Sequence, residues 1–169
     1  MEGDGILAAK AARGDADAFT ELVRRHERRV RAFLQRLARG DGADDLAQET
    51  FLKAWRLAAT FRGEGSYQGW LLRIAWSLFV SRARKRTEQA MDPAELSEGA
   101  CDGASERLDV ERALARLPER ERAAAILCYA EGYSHGEAAA ILKMPLGTLK
   151  SVVARAKAEL VRQLEGAKG

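Results

Sequence analysis

Aromatic and basic side chains are interleaved along one stretch of this 169-residue chain, between Phe61 and Arg86. Aromatic rings stack on unpaired bases, and arginine and lysine neutralise the phosphates of a single strand. The composition therefore favours contact with unstacked bases beside a phosphate backbone. An alternative, in which these residues only build the core of a helical domain, fits the same pattern. The residues concerned are Phe61, Arg62, Tyr67, Trp70, Arg73, Trp76, Arg82, Arg84, Lys85 and Arg86.

The helix predicted over residues 44–58, just before this stretch, carries a face of mixed polarity. Its apolar residues recur at helical spacing on one side, and these are Ala47, Phe51, Ala54, Trp55 and Ala58. A second face is polar except for one leucine, and it holds Asp45, Gln48, Glu49, Leu52 and Arg56. A stripe of this kind suits contact with another protein better than exposure to solvent alone.

A third pattern lies near the C-terminus. Ser134 followed by Glu137 predicts a capping box that opens a short helix, and Pro145 closes a tight turn. The helix after the turn is expected to bury Leu149, Val153, Ala156, Leu160 and Leu164. Its outer face holds Lys150, Ser151, Ala154, Arg155 and Arg162. A short helix, a tight turn and a longer helix with a basic face are typical of a helix-turn-helix.

Residues that would support catalysis or bind a cofactor are not evident. The sequence has no glycine-rich phosphate loop, no metal-ligand cluster and no nucleophile beside a base, so we expect neither an enzyme nor a cofactor. The two cysteines are far apart; Cys128 is predicted to be core, and Cys101 is predicted to be a free thiol in a linker. His26 is predicted to pack against the core rather than bind a metal.

Composition favours an all-α fold. Hydrophobic residues make up 47% of the chain, and alanine, leucine, arginine and glutamate dominate while β-branched residues are sparse. No apolar run reaches the roughly 20 residues that span a membrane, and the N-terminus lacks a signal-peptide pattern. We therefore expect a soluble cytoplasmic protein without membrane insertion. Residues 1–14 are expected to be a short leader, with Asp15 or Asp17 capping the first helix.

Charge is distributed unevenly and predicts two domains. Residues 1–86 hold 17 basic and 11 acidic residues, residues 87–109 hold one and seven, and residues 110–169 hold ten and seven. The middle segment also contains Pro93, Gly99 and Gly103 and lacks apolar periodicity. We predict helical domains at 1–86 and 110–169, joined by a flexible acidic linker at 87–109. Two basic domains fit a nucleic-acid partner, although ordinary surface charge would also fit.

Several short segments of the sequence resemble those of a known protein family. The segments DLAQETFLKAW and FRGEGSYQGWLLRIA, with the basic run after them, resemble the promoter-melting region of bacterial extracytoplasmic-function sigma factors, of the sigma-70 family. The segments LPERER, EGYS and MPLGTLKS are similar to the second DNA-binding domain of the same group. The order and spacing of these segments make the resemblance specific. The resemblance covers nearly the whole chain outside the leader and linker.

The resemblance implies partners and site residues. The partners are core RNA polymerase, promoter DNA and an anti-sigma factor. It places polymerase contact at Asp45, Gln48, Glu49, Leu52 and Arg56. It places promoter melting and recognition of the nearer upstream element at Phe61, Arg62, Tyr67, Trp70, Arg73, Ser77 and Arg84. It places major-groove recognition of the farther element at Thr148, Lys150, Ser151 and Arg155.

Four positions depart from the family pattern. Ser77 stands where asparagine is usual, Ser81 where aspartate is usual, Lys143 where a turn glycine is usual, and Val152 where an arginine is usual. Lys143 means either that the turn is not left-handed there or that it is strained. Val152 is expected to remove one DNA contact.

Two other functions compete with a promoter-specificity subunit. One is a sigma-like decoy that binds an anti-sigma factor without directing transcription, favoured only by Ser77 and Val152. The other is a plain helix-turn-helix regulator with a sensor domain. The segment DLAQETFLKAW disfavours the helix-turn-helix regulator, because a sensor domain has no need of that sequence.

Overall fold

The computed structural model describes residues 1–40, 42–89 and 106–167, and within those ranges the chain is all-α, without a β-strand. They contain eight α-helices: α1 (Asp4–Ala11), α2 (Ala16–Leu37), α3 (Ala43–Arg56), α4 (Tyr67–Gln89), α5 (Glu106–Arg116), α6 (Glu119–Ala125), α7 (His135–Ile141) and α8 (Leu146–Ala167). A 3₁₀ turn follows α3 and a π-helical turn follows α6. Helices α1–α4 form an N-terminal domain and α5–α8 a C-terminal domain, which confirms the predicted fold class.

Helix α1 lies in the segment that the sequence predicted to be only a leader, and that prediction was wrong. Leu7, Ala8 and Ala11 are buried against the rest of the domain. The Asp4 carboxylate accepts a hydrogen bond from Arg25 Nη1 at 3.0 Å and lies 2.7 Å from His26 Nε2. The partners in these contacts are more than 20 residues apart in the sequence, so no local pattern predicted the helix.

Helix α2 forms the centre of the N-terminal domain. Asp15, one of the two candidate caps, accepts a hydrogen bond from the Ala18 amide at 3.0 Å. The side of α2 that faces the core includes Val30, Phe33 and Leu37, which are fully covered. His26 is buried as well, as predicted.

Helix α3 is rotated relative to the predicted face. Its most buried side chains include Leu46 and Thr50, which the apolar pattern did not select, together with Ala47 and Ala54. Thr50 is buried because its hydroxyl donates to the Leu46 carbonyl at 2.7 Å, which satisfies the polar group inside the helix. Phe51 and Trp55 therefore lie at the edge of the buried face of α3, and the Trp55 side chain is 37% exposed.

Local side-chain signals mark the start of helix α4 and of two C-terminal helices. The Ser66 hydroxyl accepts the Gly69 amide at 3.0 Å and so caps α4. Pro118 precedes the first residue of α6, and Ser134 and Glu137 form the predicted capping box of α7. Helix α4 extends to Gln89 and α5 begins at Glu106, so both enter the segment predicted as linker. Most of that segment, with Cys101, lies outside the described residues.

The C-terminal domain contains one feature that the sequence did not predict. Residues Ile126–Ala130 form a π-helical turn in place of a continuous helix. The turn keeps Ile126 and Leu127 buried, and Gly132 then ends the segment with a left-handed φ of 73°. The positive φ suits glycine because no Cβ clashes there.

The described helices include none with both the length and the apolar content needed to cross a membrane.

The attachment of α1 generates a stability prediction. Asp4→Ala should lower the free energy of unfolding by about 1–2 kcal/mol, because it removes the acceptor of Arg25 and the partner of buried His26. Asp44→Ala is the matched control, since Asp44 is also a first-turn acid but its ion pair with Arg31 is exposed. It should cost no more than about 0.5 kcal/mol. Urea denaturation followed by circular dichroism measures both, and equal losses would show that Asp4 does not anchor α1.

Candidate protein and nucleic-acid interfaces

An aromatic cluster joins the loop before α4 to the start of that helix. The ring centroids of Phe61, Tyr67 and Trp70 lie 5.1–5.5 Å apart in all three pairings. Tyr67 is also 5.5 Å from the His26 ring. Mutual packing of this kind fixes the position of each ring, so the cluster holds Phe61 and Trp70 in defined orientations.

Tyr67 is the buried member of this aromatic cluster. The residue is only 4% exposed, and its hydroxyl has no hydrogen-bond partner among the described residues. Burial raises the pKa of Tyr67 to about 12, and the negative charge of Asp4 adds to the shift. In this position the ring supports Phe61 and Trp70 and exposes little surface of its own for the contact with DNA that the sequence predicted.

A cleft of about 350 Å³ opens beside the cluster. Of the seven residues predicted to contact melted DNA, five line it: Phe61, Arg62, Trp70, Arg73 and Ser77. Arg84 lies farther along α4 and is exposed, with Nε 3.7 Å from Glu88. The cleft combines aromatic edges, arginines and a serine hydroxyl, which suits an unpaired base and its phosphate.

Two lysines that were not among the predicted site residues also line this cleft. Lys53 comes from α3 and Lys143 from the turn between α7 and α8, which belongs to the other domain. Lys143 reaches the cleft only because a distant part of the chain packs there, whereas Lys53 lies on α3, just before the loop that carries Phe61.

The loop that carries Phe61 and Arg62 reverses direction at two glycines. Gly63 and Gly65 have φ values of 76° and 75°, in the left-handed region that other residues rarely adopt. The reversal brings Phe61 back onto Tyr67 and Trp70 and so closes one side of the cleft.

A second groove, of about 420 Å³, lies between α2 and α3. Its walls are mainly apolar, and Leu52 on its edge is 60% exposed. The Phe19 and Trp55 rings pack 5.0 Å apart in its wall. Its lining residues are Phe19, Val23, Glu27, Arg31, Ala47, Gln48, Phe51, Leu52 and Trp55. Phe19 and Val23 are both only half-buried.

The polar stripe of α3 borders this groove. Asp45, Gln48, Glu49 and Arg56 are all exposed, like Leu52. Glu49 is already paired, since its carboxylate accepts a hydrogen bond from Arg82 Nη2 at 3.0 Å. Arg82 also donates to the Gly42 carbonyl at 3.2 Å. This arginine of the basic run therefore ties α4 to the start of α3.

Helix α8 presents its predicted polar face to solvent. Thr148, Lys150, Ser151 and Arg155 are exposed. The Arg155 Nε donates to Glu121 Oε1 at 3.1 Å, and the Ser151 hydroxyl donates to the Gly147 carbonyl at 3.2 Å. The pairing with Glu121 on α6 holds the Arg155 guanidinium above the domain surface.

Two of the family departures have a structural explanation. Lys143 adopts a φ of 52°, so the turn is left-handed and the lysine occupies a conformation that glycine would adopt without strain. Val152 is 3% exposed and packs in the core of the domain. The expectation that Val152 removes a DNA contact was therefore wrong, because this position faces inward.

Side chains with catalytic or metal-binding potential are scattered. Among the described residues, no group of three or more histidine, cysteine, aspartate or glutamate side chains could hold a metal ion. Burial raises the pKa of the Cys128 thiol, which disfavours the reactive thiolate.

Comparison with known proteins matches both domains to one family. Residues 22–89 match the model of sigma-70 region 2, and residues 107–160 match that of sigma-70 region 4. The ECF RNA polymerase sigma factor SigM of Mycobacterium tuberculosis is 36% identical over 94% of this chain and 83% of its own length. The ECF RNA polymerase sigma-E factor of Escherichia coli is 30% identical over 91% of this chain and 90% of its own.

Solved structures agree with the sequence comparison. The sigma factor RpoE of Bartonella quintana, in complex with the anti-sigma factor NepR, superposes with a TM-score of 0.72 at 32% identity. That match covers 87% of this chain and 96% of the other. CnrH, in complex with the cytosolic domain of CnrY, gives a TM-score of 0.72 at 26% identity over 98% of this chain and 99% of its own. The chain therefore belongs to the sigma-70 family, as one of its ECF RNA polymerase sigma factors.

Proposed function

We propose that this sigma factor binds core RNA polymerase through the α2–α3 groove and its polar border, and that it reads two upstream promoter elements with α4 and α8. The observation that carries the proposal is Leu52, a leucine 60% exposed on the edge of an apolar groove. Transcription initiation factors of this family are not enzymes; they act by binding, and the polymerase supplies the chemistry.

The groove has the properties of a protein-binding site. Phe51, Leu52 and Trp55 form an apolar centre, while Asp45, Gln48 and Arg56 form a charged border. Protein interfaces commonly have this arrangement, with the binding energy concentrated in a few central apolar residues. Burying an exposed leucine contributes about 1.5–3 kcal/mol. Glu49 is held by Arg82, so it serves the border by orienting α3 as well as by its own charge.

The cleft beside the aromatic cluster is proposed to hold a base extruded from the promoter. Extrusion costs a few kcal/mol, and stacking on an aromatic ring offsets about 1–3 kcal/mol per base. Phe61 and Trp70 supply the rings, Ser77 supplies a hydroxyl, and Arg62 and Arg73 supply charge for the phosphates. Arg84 extends the same charge along α4.

The exposed face of α8 is proposed to enter the major groove of the farther element. Lys150 and Arg155 can contact phosphates or guanine edges, and Thr148 and Ser151 can contact either base edges or the backbone. Glu121 orients Arg155 before DNA arrives and must give up this ion pair when Arg155 contacts DNA.

An anti-sigma factor is a further proposed partner. The two solved relatives described above were each captured with a protein partner, and this chain shares their fold over most of its length. We also place its action in the cytoplasm, where core polymerase and promoter DNA are found.

A substitution at Leu52 tests the proposed polymerase interface. Leu52→Asp should abolish co-purification with core RNA polymerase from the source organism, because a carboxylate would be buried in the apolar centre of the contact. The matched control is Val161→Asp, which places the same charge at an exposed aliphatic position on α8. Melting temperature should change little in either variant. If the wild-type chain forms no complex with core polymerase, the proposal fails.

A second prediction separates the roles of Trp70 and Tyr67. Trp70→Ala should reduce promoter opening by about 5- to 150-fold, since stacking on a base contributes about 1–3 kcal/mol. Tyr67→Phe should leave opening unchanged, because the hydroxyl is buried and has no described partner. Permanganate footprinting of the polymerase complex measures opening, and gel-shift titration measures closed-complex binding. Equal losses in both steps for Trp70→Ala would indicate a folding defect instead.

A third prediction concerns α8. If Arg155 contacts a base edge, Arg155→Ala should cost about 1–3 kcal/mol of binding and relax specificity at one position. If Lys150 contacts a phosphate, Lys150→Ala should weaken all sequences alike and lower the salt slope by about one. Anisotropy titrations with duplex promoter DNA at several salt concentrations distinguish these outcomes. Arg116→Ala, an exposed position on α5, is the control. Unchanged affinity in both α8 variants would exclude this face from DNA recognition.

A further inference from the structure

The cleft beside the aromatic cluster is lined by four cationic side chains from four different parts of the fold. One lies on α3, one on the loop before α4, one on α4 and one on the turn between α7 and α8. These residues, called the cleft cations below, are Lys53, Arg62, Arg73 and Lys143. Glu64 is the one acid among the residues that line the cleft. Four positive charges and one negative charge give the lining a net charge of +3.

The cleft cations have no protein partner in the part of the chain that the structure describes. None of them forms a hydrogen bond or an ion pair there, whereas Arg82 and Arg155 contact Glu49 and Glu121 at 3.0 and 3.1 Å. A cleft of about 350 Å³ places the cleft cations at separations on the order of one Debye length, which is about 8 Å at physiological ionic strength. Their fields therefore add, and the cleft attracts an anion of more than one charge.

Lys143 adds backbone strain to this cluster of charge. It has a φ of 52°, and Arg39, at 54°, is the other non-glycine residue with a positive φ in the described ranges. The Lys143 amide donates to the Ala140 carbonyl at 3.4 Å, and the Met144 amide donates to the Ala139 carbonyl at 3.0 Å, so hydrogen bonds fix the turn. Glycine would adopt the same turn without strain. Because strain of this kind concentrates at functional sites, it points to a role for the lysine side chain in the cleft.

The remaining lining of the cleft suits a base. The rings of Phe61 and Trp70 lie 5.5 Å apart and are tilted by 55°, and Leu57 and Ile74 add apolar surface beside them. Stacking on an aromatic ring accepts every base, because each base has a π-face. A purine covers more of this apolar surface than a pyrimidine, so burial of apolar area favours a purine.

The charge of the cleft matches linked phosphates better than the backbone of a nucleic-acid strand. A strand carries one negative charge per phosphate, spread along its length. A terminal phosphate carries about −1.5 to −2 charges at pH 7, and each phosphate linked to it adds roughly one more. Two or three linked phosphates therefore balance the net charge of +3 that the lining carries around a single volume.

We propose that the cleft binds a purine nucleoside diphosphate or triphosphate in the free chain. The base lies against Phe61 and Trp70, and the phosphates lie against the cleft cations. Lys143 distinguishes this ligand from an extruded base of the promoter, because it adds a cation from the C-terminal domain to a cleft of the N-terminal domain. Nucleotide binding does not depend on the function proposed above for the cleft; only competition between nucleotide and DNA rests on that function.

Isothermal titration calorimetry of the full chain tests the site with GTP as the probe. Magnesium-free buffer keeps the full charge on the phosphates. GTP should bind the wild-type chain with a Kd below about 1 mM. GMP should bind at least about tenfold more weakly, because it keeps the base but loses two of the phosphates that form charge-assisted hydrogen bonds. Inorganic triphosphate should bind at least about fivefold more weakly than GTP, because it cannot stack on the rings.

Lys143→Gly is the variant that tests the site most directly. It removes the cation and the left-handed strain together, so it should fold as the wild-type chain does, which circular dichroism checks. Arg39→Gly is the matched control, since it makes the same change at the other strained cation, which does not line the cleft but reaches the Ala115 carbonyl of the other domain at 3.5 Å. Lys143→Gly should weaken GTP binding by about fivefold or more, and Arg39→Gly by less than about twofold.

Three results would overturn the nucleotide site: no binding of GTP up to about 5 mM, equal affinity for GTP and inorganic triphosphate, or equal losses in Lys143→Gly and Arg39→Gly. A labelled single-stranded oligonucleotide of mixed sequence separates this site from the function proposed above. Displacement of the oligonucleotide by GTP supports both. Binding of GTP without displacement supports the nucleotide site and counts against the base-binding role of the cleft. Binding of the oligonucleotide but not of GTP overturns the nucleotide site and leaves that role standing.

Discussion

The packing around Tyr67 determines how the N-terminal domain is organised. Its ring contacts His26 of α2 on one side and Phe61 and Trp70 on the other, and His26 in turn meets Asp4 of α1. One buried ring thus links the helix scaffold to the loop that carries the exposed aromatics. Because aromatic rings have few rotamers, the cleft is already shaped before a ligand enters, and ordering its side chains on binding costs little entropy.

The surfaces proposed for polymerase and for DNA are built on the same rigid helices but on different faces. Arg82 connects them, since it reaches from α4 to the Gly42 carbonyl and to Glu49 on α3. A shift of α3 would therefore be transmitted to α4 through the Arg82 contacts as well as through the core. Sites that are supported by regular elements in this way hold their geometry better than sites on free loops.

Local signals predicted the start of some helices, and long-range contacts explain part of what they missed. The Ser134–Glu137 capping box acts within one helical turn, so the sequence alone identifies it, and Asp15 is one of the two caps that the sequence offered for α2. Helix α1, the rotation of α3 and the inward position of Val152 depend on neighbours far along the chain. Among the proposed site residues, Leu52 stood out as an apolar residue on a polar stripe. Lys53 did not, and Lys143 stood out only as a departure from the family's turn glycine, because only the folded chain shows that it lines the cleft.

The buried Arg122 connects the two domains. Its Nη1 donates to the Leu37 carbonyl at the end of α2, and its Nη2 donates to the Leu117 carbonyl at 2.9 Å. Because a guanidinium that exchanges water for two carbonyls contributes little net energy, this contact fixes the geometry of the two helix ends more than it adds stability. The ion pair between Arg36 and Glu111, 3.0 Å long, lies beside the same contact and weakens with salt.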